Sequence, residues 1–365
     1  MMILRYAKIV FIGMCAILLI AQGALAEMTS TMSISGDVET NTTAEFLTEE
    51  GDDGDTDTSN MTNDGRVKIT FTGRTEGKNG WYGAAVAQPL VSTDGATDVD
   101  DAYVEFGTSS YAFRIGRYEA EDMMVKGEDT YIAAAPGAPE RYQANYARGR
   151  FGNGLGHVAV HFKPSDALQV YLDGTIGHRT ETDYNLLTEV DEDVTVNVFG
   201  IRPVVKFCSS LYTVKLGGDF LTSIGQDDDS DYELTRWGFG AYGEAAFDRL
   251  TVGVSVDRGT RGGTGIDNID FDDEYTLSTF GYATITLSED NALGLAAGYT
   301  MLSYDESDDE ASNIEGYINF IHQLPVEGLK IKMAGSFSTA SIEPEGCSDS
   351  DNTAFGFRTR LNYDF

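Results

Sequence analysis

The chain has 365 residues, 41% of them hydrophobic, with 41 glycines against 7 prolines. Its 25 basic side chains stand against 59 acidic ones, a formal net charge of −34. That sign excludes nucleic acid as a partner, because phosphate backbones are bound by excess positive charge.

Residues 1–26 read as a secretory signal. Arg5 and Lys8 make a basic start, Ile9 to Ala21 an apolar run, and Ala24-Leu25-Ala26 a small-residue cleavage site before Glu27. Residues 27–365 are then expected to form one domain. No later segment holds ~18 consecutive apolar residues, so no membrane-crossing helix is expected.

From there on the chain alternates apolar and polar residues, the period of a strand with one greasy and one wet face. Short turn signals punctuate it: Lys78-Asn79-Gly80, Thr108-Ser109-Ser110, Pro164-Ser165-Asp166, Cys208-Ser209-Ser210, Asp248-Arg249, Glu289-Asp290-Asn291 and Pro325–Gly328. Each precedes an alternating run such as Tyr212-Thr213-Val214-Lys215-Leu216. Acidic segments fill the other gaps: Glu49–Asp57, Asp191–Asp193, Gln226–Asp231, Asp270–Glu274 and Asp305–Glu310. Short turns alternating with longer acidic loops predict an all-β, transmembrane antiparallel β-barrel with short periplasmic turns and long acidic outer loops. Seven turns bound fourteen strands. One strand before them (about 29–44) and one after (352–365) make sixteen. Arg141–Phe162 is long for one strand, and Phe151-Gly152-Asn153-Gly154 within it resembles another turn, so fourteen or eighteen strands stay open.

The faces follow from the alternation. Phe355, Phe357, Leu361, Tyr363 and Phe365 share one face of the last strand, with Arg358, Arg360, Asn362 and Asp364 on the other. In residues 66–74, Arg66, Lys68 and Arg74 lie opposite Val67, Ile69 and Phe71. Arginine or lysine at mid-bilayer on a barrel's lipid face costs roughly 2–4 kcal/mol, so these cations must point inward. A barrel this wide leaves an aqueous channel, and its acidic mouth concentrates cations. Cys208 in a short turn and Cys347 in a long loop are expected on opposite rims, too far apart for a disulfide.

Several local patterns resemble the general bacterial porins: Gly65–Gly73; Asp101–Gly107 followed by Phe113-Arg114-Ile115-Gly116-Arg117; Arg141–Tyr146 as a returning strand; and the terminal Tyr363-Asp364-Phe365. The resemblance implies a sixteen-stranded trimeric diffusion channel in a Gram-negative outer membrane. Its third loop, here roughly Tyr118–Glu140, would fold into the lumen. It further implies a constriction that sets Glu119, Glu121, Asp122, Glu128 and Asp129 on the loop against a basic wall of Arg66, Arg74, Arg114, Arg117 and Arg141. Tyr363 and Phe365 would form the signal read by the barrel-assembly machinery. The loop tip, Ala135-Pro136-Gly137-Ala138-Pro139-Glu140, departs from the family's pattern.

The expected function is passive passage of small hydrophilic solutes and ions, with cation preference and lipopolysaccharide as a lipid partner. A sugar-selective channel, for which Tyr171, Phe280 and Tyr282 lie on inward positions, is the second reading. A structural or adhesive barrel that binds divalent cations is the third. No enzyme activity, cofactor or resident metal is expected. His157, His161, His178 and His322 have no serine and acid at catalytic spacing, and Asp52–Asp57 lacks the late glutamate of a calcium loop.

Overall fold

The computed structural model describes residues 28–50, 54–123, 127, 133–150, 155–185, 190–225, 232–264, 270–305, 307, 309–343 and 349–365. The strands are β1 (Met28–Glu49), β2 (Thr56–Gly77), β3 (Tyr82–Ser92), β4 (Thr97–Gly107), β5 (Tyr111–Arg117), β6 (Leu155–Ser165), β7 (Leu168–Asn185) and β8 (Val190–Cys208). They continue with β9 (Tyr212–Gly225), β10 (Glu233–Phe247), β11 (Leu250–Thr264), β12 (Asp270–Thr286), β13 (Asn291–Tyr304), β14 (Glu310–Gln323), β15 (Leu329–Glu343) and β16 (Ser350–Asp364). Each pairs antiparallel with its sequence neighbours, and β1 pairs with β16 to close the barrel. Closure leaves no unpaired edge, the condition for a sheet to cross a bilayer.

The short turns expected from the sequence all fall at strand junctions, with Pro164-Ser165, Cys208 and Asn291 belonging to the strand ends themselves, and the count is sixteen. Leu155 opens β6, so the region 141–162 adds no extra hairpin; residues 151–154 lie outside the described set. The signal segment and Cys347 lie outside it too, and Cys208 carries a free thiol at the end of β8. The acid is distributed differently from the sequence expectation. Asp191–Asp193 belong to β8 and Asp270–Glu274 to β12, so much of it rides on long strand ends rather than in loops. Ladder pairing holds these residues extended despite their poor strand propensity.

Alternation sets the faces. Phe355 and Phe357 are 60% and 52% exposed on the outer face, whereas Ala354 and Arg358 on either side of them are buried inside. The apolar outer band is surface for lipid, and the interior is held largely by polar and small side chains.

Candidate functional site

The segment between β5 and β6 folds into the barrel, and Gly116 starts the turn inward. Its φ of 140° is closed to other residues, and a Cβ there would lie 2.3 Å from the Ala102 carbonyl oxygen. The loop then crosses to the far wall. The Ala133 and Ala135 amides donate to Ser336 Oγ (3.0 Å) and Ser338 Oγ (3.2 Å) on β15. Asn352 Nδ2 on β16 donates to the Pro136 carbonyl at 3.0 Å. Pro136 and Gly137 occupy a tight turn closed by Ala138 N–H to the Ala135 carbonyl (3.1 Å), and Gly137 supplies the positive φ of 69°. Ala340 and Ala354 leave room for Ala133 and Ala135 to pack flat on the wall.

The return arm runs from Arg141 to Arg150, and it is not a strand. Arg141 is therefore on the loop, not on the wall: it pairs with Glu315 on β14 and lies over the Phe280 ring at 4.3 Å. Tyr142 N–H donates to Ser278 Oγ (3.1 Å) and its hydroxyl to Asp219 Oδ1 (2.5 Å). Ala147 N–H donates to the other Asp219 oxygen at 3.1 Å, and buried Arg202 donates from Nε to the Ala144 carbonyl at 2.8 Å. Ala144 has a φ of 48°, which breaks any extended run.

The remaining predicted cations separate into different settings. Arg66 on β2 pairs with Glu39 (2.6 Å) and Asp37 (3.7 Å) on β1. Arg114 faces inward and spends Nε and Nη2 on Glu105. Arg117, at the end of β5, donates to the Val99, Asp100 and Arg150 carbonyls, so it fastens backbone. Arg74 stands apart near the short β2–β3 turn, paired with Glu76 over the Tyr82 ring.

Among the predicted acids, Glu119 meets Arg148 and Arg150, each at 3.3 Å, and Asp122 meets Arg148 at 3.2 Å. Glu121 is clamped by Lys206 of β8 (3.0 Å) and Lys215 of β9 (2.9 Å). Burial opposes its charge, but the two ammonium groups outweigh burial and hold its carboxyl below the usual carboxylate range. Glu128 and Asp129 lie outside the described residues. Lys206, Lys215, Arg148 and Arg150 were not singled out from the sequence, although Lys206 and Lys215 sit on inward positions of their alternating strands.

Joined end to end, these contacts form one ribbon along the wall from β16 to β4 and onto the base of the loop. It runs Arg360, Glu39, Arg66, Asp37, Lys68, Asp100, Arg150, with Arg150 also reaching Asp101 and Glu119. Arg148 then links Glu119 to Asp122. A register shift in the β3–β4 pairing, between Ala87 and Pro89, brings both Asp100 and Asp101 within reach of Arg150. The signs alternate along the ribbon instead of separating into an acidic and a basic side.

Against known proteins, a family model described as porin-like glycoporin RafY matches residues 27–223, more than half of the chain. The chain belongs to this porin family. No curated protein matches this porin in sequence. Among solved structures, a loop-deletion form of OmpT from Vibrio cholerae aligns with a TM-score of 0.63 and 12% identity over 91% of this chain and 99% of its own. An anion-selective porin from Comamonas acidovorans gives 0.60 and 13% over 92% and 100%. The outer-membrane channel DcaP of Acinetobacter baumannii gives 0.60 and 13% over 92% and 97%. At these identities the structures establish the fold, and the family match makes the chain a porin. This is a porin of a Gram-negative outer membrane, a barrel of the channel-forming kind.

Proposed function

We propose that this porin passes small hydrophilic solutes and ions without energy coupling, and that it prefers cations. The observation that carries the reading is the interleaved ribbon. Its six carboxylates and five cations nearly cancel. Local cancellation leaves the excess acid of the strand ends and outer connections to decide selectivity. Exposed charge of that kind is screened within ~8–10 Å at ordinary salt. The preference should be strong at low salt and fade as salt rises. The Comamonas porin is anion-selective on the same fold, so side-chain charge rather than architecture must decide the sign. Reversal potentials in a KCl gradient test this; anion selectivity at low salt would overturn it.

The predicted constriction residues enter this reading with changed partners. Arg66, with Glu119 and Asp122, belongs to the ribbon, while Arg114, Arg117 and Arg141 hold the loop and strand ends in place. Residues 1–26 serve as the export signal. Assembly into homotrimers is supported by the trimer form described for Vibrio OmpT. Lipopolysaccharide is the lipid partner. Tyr363 and Phe365 stack with ring centroids 5.9 Å apart on the outer face, and Phe365 exchanges two 3.0 Å backbone hydrogen bonds with Gly36. They serve as the assembly signal, so deleting Phe365 should lower the yield of heat-modifiable barrel; unchanged yield would count against that role.

A sugar-selective channel is the second reading, and the family's description as a glycoporin favours it. Tyr82, Tyr111 and Tyr171 line a recess of about 470 Å³ beside the base of the loop. Phe280 and Tyr282, by contrast, are buried, in contact with Arg141 and Gly127 of the loop. Current block by added oligosaccharide separates the two readings.

A further inference from the structure

We propose that the lipid-facing surface between β11, β12 and β13 binds a phosphate group of an anionic glycolipid in the outer leaflet, with Arg258 as its ligand. The inference rests on the outer-membrane location and on one anomaly in the alternation. Among the described residues, the other strand arginines and lysines lie on the lumen-facing alternation or at strand ends. Arg258 points outward. It continues the lipid-facing series Val254 and Val256, while Ser255 and Asp257 between them are buried inside. Its lateral neighbours in register are Phe239 on β10 and Leu277 on β12, both exposed on the outer face.

Depth decides what such an arginine can do. At the bilayer midplane it is strongly disfavoured, and near the interface it is almost neutral. Trp237 and Tyr275 both pair with Thr260, one outward position beyond Arg258 towards the outer rim. Aromatics of this kind mark the interface, so Arg258 is anchored just inside it and its long stem can carry the guanidinium outward. The geometry agrees: the guanidinium carbon lies 5.7 Å from the Tyr275 ring centroid. Around it is a groove of about 570 Å³ bordered by Tyr275, Leu277, Met301, Ser303 and Tyr304, with Asp305 also on its lining. No carboxylate of the described residues forms a salt bridge with Arg258.

The groove is therefore built in two parts. Leu277 and Met301 offer apolar surface for acyl chain. A guanidinium and the polar groups of Tyr275, Ser303 and Tyr304 stand at head-group height. In a chain with 59 acids, the rim as a whole repels anionic head groups. A cation that no described carboxylate neutralises at this depth is matched by a phosphate on a lipid, whose tails cover the apolar floor. Direct contact with arginine needs no bridging metal, and this distinguishes the site from loose divalent bridging by the acidic rim.

The test is native mass spectrometry of the full-length protein from outer membranes, as wild type, Arg258→Ala and Arg258→Lys. Each is titrated, in EDTA, with diphosphoryl lipid A and with the same lipid stripped of phosphate. Expected is binding to wild type that Arg258→Ala weakens on the order of tenfold to a hundredfold, that Arg258→Lys largely restores, and that removal of phosphate abolishes. Equal affinity in wild type and Arg258→Ala overturns the proposal. So does wild-type binding that vanishes in EDTA, which would assign the lipid to metal bridging. An altered subunit number in Arg258→Ala with lipid affinity unchanged would make this surface a contact between copies and also overturn it. Single-channel conductance is measured alongside. Its absence in wild type would undo the channel reading, while the lipid titration would still stand or fall by itself.

Discussion

Along β12, β14 and β15 the third loop rests on the wall, while along β1, β2 and β4 the wall keeps partial water contact except at Asp100, and the two regions use opposite chemistry. The covered region presents Ser278, Ser336, Ser338 and Ala340. Loop amides removed from water need acceptors, and serine hydroxyls supply them without filling the space the loop needs. Where charge on the wall meets the loop it is tied to it: Glu315 of β14 to Arg141, Arg202 of β8 to the Ala144 carbonyl, Asp219 of β9 to Tyr142 and Ala147. The open region carries charges that pair with one another in partial contact with solvent. Buried ion pairs rarely repay their desolvation, so placing the free ribbon where water remains is the less costly arrangement. The comparison teaches that a lumen can be narrowed by neutral seating on one side and tuned by charge on the other.

The strongest way to break that comparison is to remove the covering. Deleting residues 121–135 takes out the outgoing arm and the serine seats' partners. Conductance should rise severalfold while the barrel stays heat-modifiable. A folded deletion variant with unaltered conductance and solute cutoff would show that the loop does not narrow the path.

Charge changes in the open region should act on sign rather than size. Glu39→Gln leaves Arg66 and Arg360 each short of a carboxylate, so the reversal potential at low salt should move towards anions. Arg66→Gln should move it the other way. Each partner keeps some water contact and Arg66 retains Asp37, so both variants should fold. Shifts of the same sign in the two would rule out local cancellation as the basis of selectivity.

A smaller perturbation sharpens the seating side. Ala340 is fully buried beside Ala133 and Ala135. Overpacking such a site costs about 1–3 kcal/mol, and Ala340→Leu should lift the loop tip. Open-channel noise should increase and conductance move part-way towards the deletion. A quiet channel of wild-type conductance would place the tip's hold elsewhere.

The smallest effect is expected from acid. Glu121 has a depressed pKa in the folded protein because Lys206 and Lys215 flank it. The anchor it provides is complete above the carboxyl's unfolded value and is lost as pH falls through the lower, folded value. Channel noise should therefore stay flat down to mildly acidic pH and grow only below it. In Glu121→Gln this acid-dependent increase should disappear; its persistence would assign it to another group.

The turns and faces of the barrel were legible because each rests on local chemistry: turn residues such as Asn79-Gly80, and alternation such as Arg358, Arg360 and Asn362 against Phe357, Leu361 and Tyr363. The loop's return was not. Tyr142, Ala144 and Tyr146 alternate with Gln143 and Asn145 just as a strand would, yet the period comes from wedging between loop and wall, and an alanine gives no warning of a positive φ. Strand ends such as Asp191–Asp193 were hidden by acid that ordinarily marks loops. Lys215 was within reach of the alternation argument, since it sits opposite Val214 and Leu216. Its partner Glu121 was not, because 93 residues of chain separate Lys215 from its neighbour Asp122 and only the folded loop brings them together.

The closing seam has a consequence for how the barrel is built. β1 pairs over its whole length with β2, from Met28 opposite Gly77 to Glu49 opposite Thr56, so one of its edges is satisfied by a local hairpin. Its other edge waits for β16, and the final backbone bonds there come from Phe365, the last residue of the chain. Until β16 arrives, β1 thus keeps a bare row of donors and acceptors. Such an edge invites pairing with the wrong chain, and a contact spanning nearly the whole sequence is slow to form. The barrel is consequently most vulnerable to mispairing just before the seam closes, and a helper that reads Tyr363 and Phe365 must release β16 for β1 to take its place.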